Sequence, residues 1–247
     1  DTFDVIVECT GAPTLVLDAM RWVGAGGVVA LAGLSSGGHS IPVVSGFMSR
    51  RAWIAEAMGV PEARLLSQFR AAAENPLPWR EVDPAAAPVQ QIVHRFDGGA
   101  ADIRTLLPVP THSEHDHGAY ITAGLVIARN PKTGVQNVSI NRIQIHGPDR
   151  LGILILPRHL HAFFAAAEAK GEPLEVAIAI GVDPLTALAS QAIVPIDCDE
   201  LEIAGALHGA PLPVAKCLTN DVRVPAEAEI VIEGRLLPRV RGREGPF

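Results

Sequence analysis

Between residues 120 and 156 the chain alternates apolar runs with turn-forming clusters, and this alternation limits its fold more than any other feature. Residues 120–128, 137–145 and 151–156 are each rich in β-branched and aliphatic side chains over a strand's length. Asn130-Pro131-Lys132-Thr133-Gly134 separates the first two, and His146-Gly147-Pro148-Asp149 separates the last two. Links this short leave no room for a crossover, so three antiparallel strands in a meander are expected. A helix is expected over 159–170, with Leu160, Phe163, Phe164 and Ala167 on one face and Gly171 at its end. A strand at 176–180, a helix from Asp183-Pro184 to about Gln191, a short helix at 199–207, and strands around 214–218 and 229–236 follow.

The first part of the chain reads differently. Apolar runs at 3–9 and 27–34 flank a rough helical stripe over 12–23 made by Leu15, Leu17, Ala19, Met20 and Val23, with Gly24 to Gly27 as its stop. Two buried strands joined by a helix imply a parallel crossover unit. Residues 44–75 read as mostly helical; Pro61 stands in a first turn and Leu65, Leu66 and Phe69 form an apolar stripe. Pro76, Pro78, Pro84 and Pro88 then crowd a stretch expected to be an extended connector.

Composition excludes several roles. Hydrophobic residues make up 48% of 247, enough for a sizeable core and too many for disorder. The net charge is −7 with no basic block, so nucleic acid is not an expected partner. No apolar run approaches the roughly 18 residues of a membrane span, and no basic segment precedes an apolar one at the start, so a cytoplasmic location is expected. Cys9, Cys198 and Cys217 are odd in number and widely spaced, which fits neither a disulfide framework nor a zinc site.

The chemistry concentrates in Asn137-Val138-Ser139-Ile140-Asn141-Arg142 and Pro157-Arg158-His159-Leu160-His161, with Glu200 and Glu244 further on. Asn, His and Glu together suit a hard divalent metal, and imidazole tilts the choice towards manganese. Arg beside Glu suits a carboxylate, which a planar guanidinium holds bidentately. His159 begins a helix, whose free N–H groups favour a phosphate. Asn137 and Arg142 are five residues apart, so a regular strand points them to opposite faces; a bulge or strand end near 139–141 is expected to reconcile them. Other features have plainer readings. His112, His115 and His117 are expected in a solvated loop, and Cys198, between Asp197 and Asp199, is expected to be structural. Asn137-Val138-Ser139 matches a glycosylation motif that no secretion signal supports.

From about residue 44 onward the chain resembles the UbiD family of decarboxylases. The matching motifs are Pro42-Val43-Val44-Ser45-Gly46-Phe47, Leu106-Leu107-Pro108-Val109-Pro110-Thr111-His112, Tyr120-Ile121-Thr122-Ala123-Gly124-Leu125, Asn137 to Arg142, Pro157-Arg158-His159-Leu160, Ile180-Gly181-Val182-Asp183-Pro184, Glu229-Ile230-Val231-Ile232-Glu233-Gly234 and Glu244-Gly245-Pro246-Phe247. The resemblance implies a mixed α/β and β (α+β) fold: a UbiD-like N-terminal region over 44–104, then a split β-barrel over 105–247 that holds the flavin. It implies non-oxidative, reversible decarboxylation of an aromatic or α,β-unsaturated carboxylic acid with prenylated FMN and Mn2+, accompanied by K+. Asn137, His159 and Glu200 are the implied metal ligands. Ile140, Asn141, Arg142, Arg158 and Leu160 join them around the cofactor, and Arg142 and Glu244 are the implied catalytic pair. A UbiX-like flavin prenyltransferase is the implied cofactor supplier, and the family is homo-oligomeric. Residues 1–43 instead resemble part of the nucleotide-binding domain of a medium-chain alcohol or glucose dehydrogenase, a Rossmann-like β-α-β fragment. The chain stops two residues before the second glutamate of the family's Glu-Gly-Pro-Phe-Gly-Glu, so a truncated enzyme is expected. A non-catalytic flavin- or metal-binding remnant and an NAD(P)-dependent oxidoreductase fragment are the alternatives.

Overall fold

A computed structural model describes residues 48, 50–96 and 101–247 in full, and the backbone of three strands before them. These are β1 (Phe3–Glu8), β2 (Val23–Ser36) and β3 (His39–Ser45). The parallel pairing of β1 with β2 is the arrangement a crossover unit requires. The expected helix over 12–23 falls outside the described residues but for its last residue, Val23, which begins β2. Gly24 to Gly27 also lie within β2, so they do not serve as a helix stop. β3 returns antiparallel to β2 and carries the chain to Ser45 in extended form.

Helices α1 (Arg51–Ala57) and α2 (Leu65–Glu74) follow, the second preceded by a 3-10 turn at Glu62–Arg64. The α2 stripe differs from the expected one. Leu65 and Ala72 are buried and Phe69 packs against the core that Ala72 joins, while Leu66 is 76% exposed. The i, i+4, i+7 spacing of 65, 69 and 72 keeps one face on the core, and 66 falls outside it. The proline-rich connector is irregular except for two 3-10 turns and β4 (Arg80–Glu81). Short helix α3 (Ile103–Leu106) comes next.

The main sheet is five-stranded and antiparallel. It comprises β5 (Tyr120–Arg129), β6 (Gln136–Ile145), β7 (Leu151–Ile153), β8 (Leu174–Ile180) and β11 (Ile230–Leu236), in the order β11-β8-β5-β6-β7. The meander of β5, β6 and β7 is as the turn signals require, although β7 ends three residues early. Helix α4 (His159–Glu168) buries Leu160, Phe163, Phe164 and Ala167 against Val126, Ala128 and Ile178. The other core gathers Leu125, Ile127 and Val138 with α5 (Pro184–Ala189), α6 (Glu200–His208), β9 (Pro213–Lys216) and β10 (Arg223–Pro225). β4 pairs with β9, and Ala72 and Ala87 enter this second core. Burial on both faces explains why β5 reads as a continuous apolar run.

One irregularity bears on the site. β5 and β6 pair residue for residue from Arg129↔Gln136 to Gly124↔Asn141, then resume at Ile121↔Ile143. Thr122 and Ala123 therefore oppose Arg142 alone, which is a β-bulge with the extra residue on β5. The bulge expected at 139–141 lies beside Arg142 instead, and on the partner strand. A side chain at Gly124 would come within 2.9 Å of Ile178 and 3.1 Å of Ile121, so glycine is what lets the bulge close against β8.

Asp183 joins α5 to α6. Its carboxylate accepts from the Leu185 and Thr186 amides at 2.9 and 3.0 Å and lies 2.9 Å from His208 Nε2 in the last turn of α6. Burial opposes ionisation, but His208 and the Thr186 hydroxyl and amide overcome it and lower the carboxyl to about 2. The same contact raises His208 above its ordinary 6.5. A depressed carboxyl stabilises above its unfolded pKa of 3.8 and loses that effect towards 2; a raised imidazole stabilises below 6.5 and loses it as pH rises through its folded value. Asp183→Ala is expected to cost about 1–2 kcal/mol, the worth of a lost cap. Urea unfolding from pH 2 to 9 should show the largest gap from wild type between 3.8 and 6.5. A gap independent of pH would contradict the pairing.

Candidate active site

The open edge of β6 organises the site. β7 pairs with residues 143–145 only, so the stretch from Gln136 to Arg142 has β5 on one side and, among the described residues, no strand on the other. Val138 directs its N–H to this open side, where Glu200 Oε2 accepts it at 2.7 Å. Glu200 Oε1 accepts from Asn137 Nδ2 at 2.8 Å. Glu200 is the first residue of α6, placed there by the Asp199 side chain, which accepts from the Leu201 amide. Trp79 Nε1 donates to the other Asp199 oxygen at 3.0 Å. By strand alternation Ile140 also turns its N–H to the open side.

Asn137 is 4% and Glu200 2% exposed. Burial pushes the Glu200 carboxyl up to about 7, against the bonds from Val138 and Asn137, and pushes Asp199 up to about 6. Asn137 Oδ1 is buried with no hydrogen-bond partner. Leaving a buried carbonyl oxygen unpaired costs about 1–3 kcal/mol. An unpaired hard oxygen beside a buried carboxylate is a donor set that fits a divalent cation, which would supply the positive charge both lack. Burial of Asn137 also closes the glycosylation motif to modification.

His159 opens α4, which packs on β6 as α6 does. The N-cap Arg158 makes no side-chain cap and the first turn carries no acid, so the leading amides of α4 are available to an anion. Leu160 is 3% exposed and packs its side chain into the core, so it offers a ligand its amide rather than its side chain. Asn141 accepts from the Ser139 hydroxyl and donates to the Leu154 carbonyl. Ile140 is exposed beside it.

The second constellation lies further along β6. Arg142 Nη2 donates to Glu244 Oε2 at 2.8 Å. This contact raises the guanidinium pKa further. Arg142 Nε and Glu244 Oε1 are both buried without partners. The Arg142 guanidinium also lies 5.4 Å from the centre of the Phe247 ring, which packs on Tyr120 and meets His112 edge-on. Burial, then the Glu244 charge, hold the Tyr120 phenol above its ordinary range.

Sequence reasoning joined Asn137 to Glu200 and Arg142 to Glu244, and both pairs are in contact. It missed Trp79, Tyr120, Gln144 and the role of the His112–His117 loop. His112 Nε2 lies 3.1 Å from the Tyr120 carbonyl, and the His117 amide donates to the Pro246 carbonyl. The alternation of β6 carried a signal for Gln144, which follows Arg142 by two on the same face. Cys198 is half-buried and its thiol is raised by burial and by the nearby Glu200, Glu202 and Asp199 carboxylates, as a structural cysteine would be. Among the described residues no three His, Cys, Asp or Glu side chains gather as a metal site; the Asn137 set depends on an amide.

Comparison with known proteins gives these contacts a context. The 3-octaprenyl-4-hydroxybenzoate carboxy-lyase Rift-related domain (UbiD) matches residues 80–247. Anhydromevalonate phosphate decarboxylase of Methanothermobacter thermautotrophicus is 43% identical over 207 residues, covering 84% of this chain and 47% of that protein. An evolved dimeric form of the UbiD-class enzyme HmfF from Pelotomaculum thermopropionicum, solved in complex with prFMN, superposes with a TM-score of 0.87 at 46% identity. That match covers 98% of this chain, so it extends into residues 1–43, and 54% of HmfF. The 3,4-dihydroxybenzoic acid decarboxylase of Enterobacter cloacae superposes at 0.84 and 29% identity, over 97% of this chain and 51% of that one. The chain spans about half the length of these relatives. No helix among the described residues is long and apolar enough to cross a membrane. With its fold, its paired motifs and a family match over residues 80–247 in agreement, the chain belongs to the UbiD family.

Proposed function

We propose that this chain carries the cofactor- and carboxylate-binding part of a UbiD-type carboxy-lyase. It acts on an aromatic or α,β-unsaturated carboxylic acid with prenylated FMN and a divalent metal, manganese by the chemistry of the donors. A UbiX-like prenyltransferase would supply the flavin, and the complete enzyme is a homo-oligomer. The observation that carries this reading is the Arg142–Glu244 pair, which keeps one buried donor and one buried acceptor unused. A guanidinium with a free N–H orients a substrate carboxylate, and the neighbouring free carboxylate oxygen can hold a proton close to the reacting carbon.

Asn137, Glu200 and His159 would hold the metal. The first-turn amides of α4, with Arg158 beside them, would receive the flavin phosphate. Ile140 and Asn141 would help to hold the flavin. Loss of CO2 from an sp2 carbon leaves an unstabilised carbanion, and the prenylated flavin supplies the electron sink for it. The residues of this chain bind and orient. Arg142 fixes the carboxylate, the Phe247 and Tyr120 rings shield the Arg142–Glu244 pair from water, and Glu244 holds Arg142 in place.

Two measurements test this. FMN fluorescence quenching should deepen on adding Mn2+, and Glu200→Gln should weaken this metal-dependent binding by about 10–100-fold, the usual cost of a damaged metal site. Equal FMN binding with Mn2+ and with a chelator would remove the metal from the reading. Arg142→Lys should leave FMN affinity within about threefold and slow CO2 release by about 100-fold or more in enzyme loaded with prenylated FMN, because an ammonium cannot copy the bidentate fork. Loaded enzyme that binds flavin and releases no CO2 from cinnamate-, benzoate- and furoate-type acids would favour a non-catalytic flavin protein.

A further inference from the structure

Glu244 is held from the side by Arg142, but its backbone needs a separate anchor. Gly245 has φ of +91°, a conformation side chains rarely adopt, so the segment from Glu244 to Phe247 does not extend a regular element. What restrains it comes from β6. Gln144 is 2% exposed and lies two residues beyond Arg142 on the same face. Its Oε1 accepts from the Gly245 amide at 3.3 Å, and its Nε2 donates to the His117 carbonyl at 3.3 Å. Arg142 and Gln144 thus grip consecutive residues, one by the side chain of Glu244 and the other by the backbone of Gly245.

The amide works in one orientation only. A flip would set an NH2 group against the Gly245 N–H and a carbonyl against the His117 carbonyl. These two backbone groups fix the amide, and with it the role of His146, whose Nε2 lies 2.9 Å from Gln144 Oε1 and must donate to it in this orientation. The imidazole occupies space that a side chain at Gly152 would fill, since a Cβ there would come within 2.5 Å of the ring. The amide also links two loops, because His117 in turn donates its own N–H to the Pro246 carbonyl.

We propose that Gln144 is a positioning residue of this site: its amide, buttressed by His146, anchors Gly245 to the 112–118 loop and so holds the Glu244 carboxylate against Arg142. The role assigned to Glu244 rests on the decarboxylase reading above; the anchoring does not. Hydrogen exchange on the full chain separates the two. In Gln144→Met, similar in size but lacking both the acceptor for Gly245 and the donor to His117, exchange at residues 244–247 and 112–118 should speed up by about tenfold, the scale of one or two lost hydrogen bonds. The strands of the main sheet should keep their protection, and FMN affinity should stay within about threefold. His146→Ala should give a smaller change at the same residues, because the amide keeps both backbone bonds and loses only the support of the imidazole. In enzyme loaded with prenylated FMN, Gln144→Met should lower kcat by about tenfold with little change in KM, and Gln144→Glu, which keeps an oxygen facing Gly245, should recover part of it. Unchanged exchange at 244–247 in Gln144→Met, or a rise spread over the whole sheet, would overturn the proposal. Absence of turnover in the wild type would count against the decarboxylase reading and leave the exchange result to decide this one.

Discussion

The carboxylate of Glu200 takes the place of a neighbouring strand. β6 has an open edge from Gln136 to Arg142, and an open edge presents unpaired amides. Glu200 pairs with one of these, Val138, and with the side chain next to it, Asn137. Burying a carboxylate is costly, and the rise of its pKa to about 7 measures that cost. Two features offset it, the two hydrogen bonds and the N-terminal position on α6 with its favourable dipole, while the unpaired Asn137 Oδ1 beside it adds a further cost.

This arrangement reaches into distant chain. Asp199 caps the same helix and takes its second bond from Trp79, in the proline-rich connector. The connector also runs β4 alongside β9, and Ala72 and Ala87 share a core with Leu125 and Leu201. The position of Glu200 is therefore set by packing that begins near residue 65. A stretch that looks like a tether in sequence acts as a brace for the carboxylate.

Much of this was legible in the residues. The meander, α4 with its four buried apolar residues, and the Asp183 cap follow from periodicity and turn chemistry that the tertiary structure does not override. Elements of two or three residues did not declare themselves: β4 and β10 pair over lengths too short to show alternation, and Pro225 sits within the second of them. Gly24 to Gly27 read as a helix stop because glycine is an ambiguous signal, and β2 runs straight through them. Leu66 failed for a different reason. Its position beside Leu65 is compatible with a helix stripe in composition, but the 100° step turns it to solvent. At the site, pairings between distant residues were found through family motifs. Gln144 belonged to none of the recognised contacts, and its partners are backbone groups that carry no residue-type signal.

The bulge clarifies how Asn137 and Arg142 can serve one ligand. Because the extra residue lies on β5, β6 itself continues to alternate, and the two side chains stay on opposite faces of the strand. In the middle of a sheet that would assign them to separate sites. At an edge it does not, because a ligand lying along the open side of β6 is adjacent to both faces at once. The backbone between them, with the outward amide of Ile140, then becomes the shared floor. On this view the arrangement is a property of the strand edge: Glu200 meets the edge amide of Val138 and the Asn137 side chain, while Arg142 and Gln144 grip the Glu244–Gly245 segment from the other face of β6 to Asn137. A site built this way requires that no further strand pair with residues 136–142, a condition met among the described residues by the early end of β7 at Ile153 and by the Glu200 carboxylate.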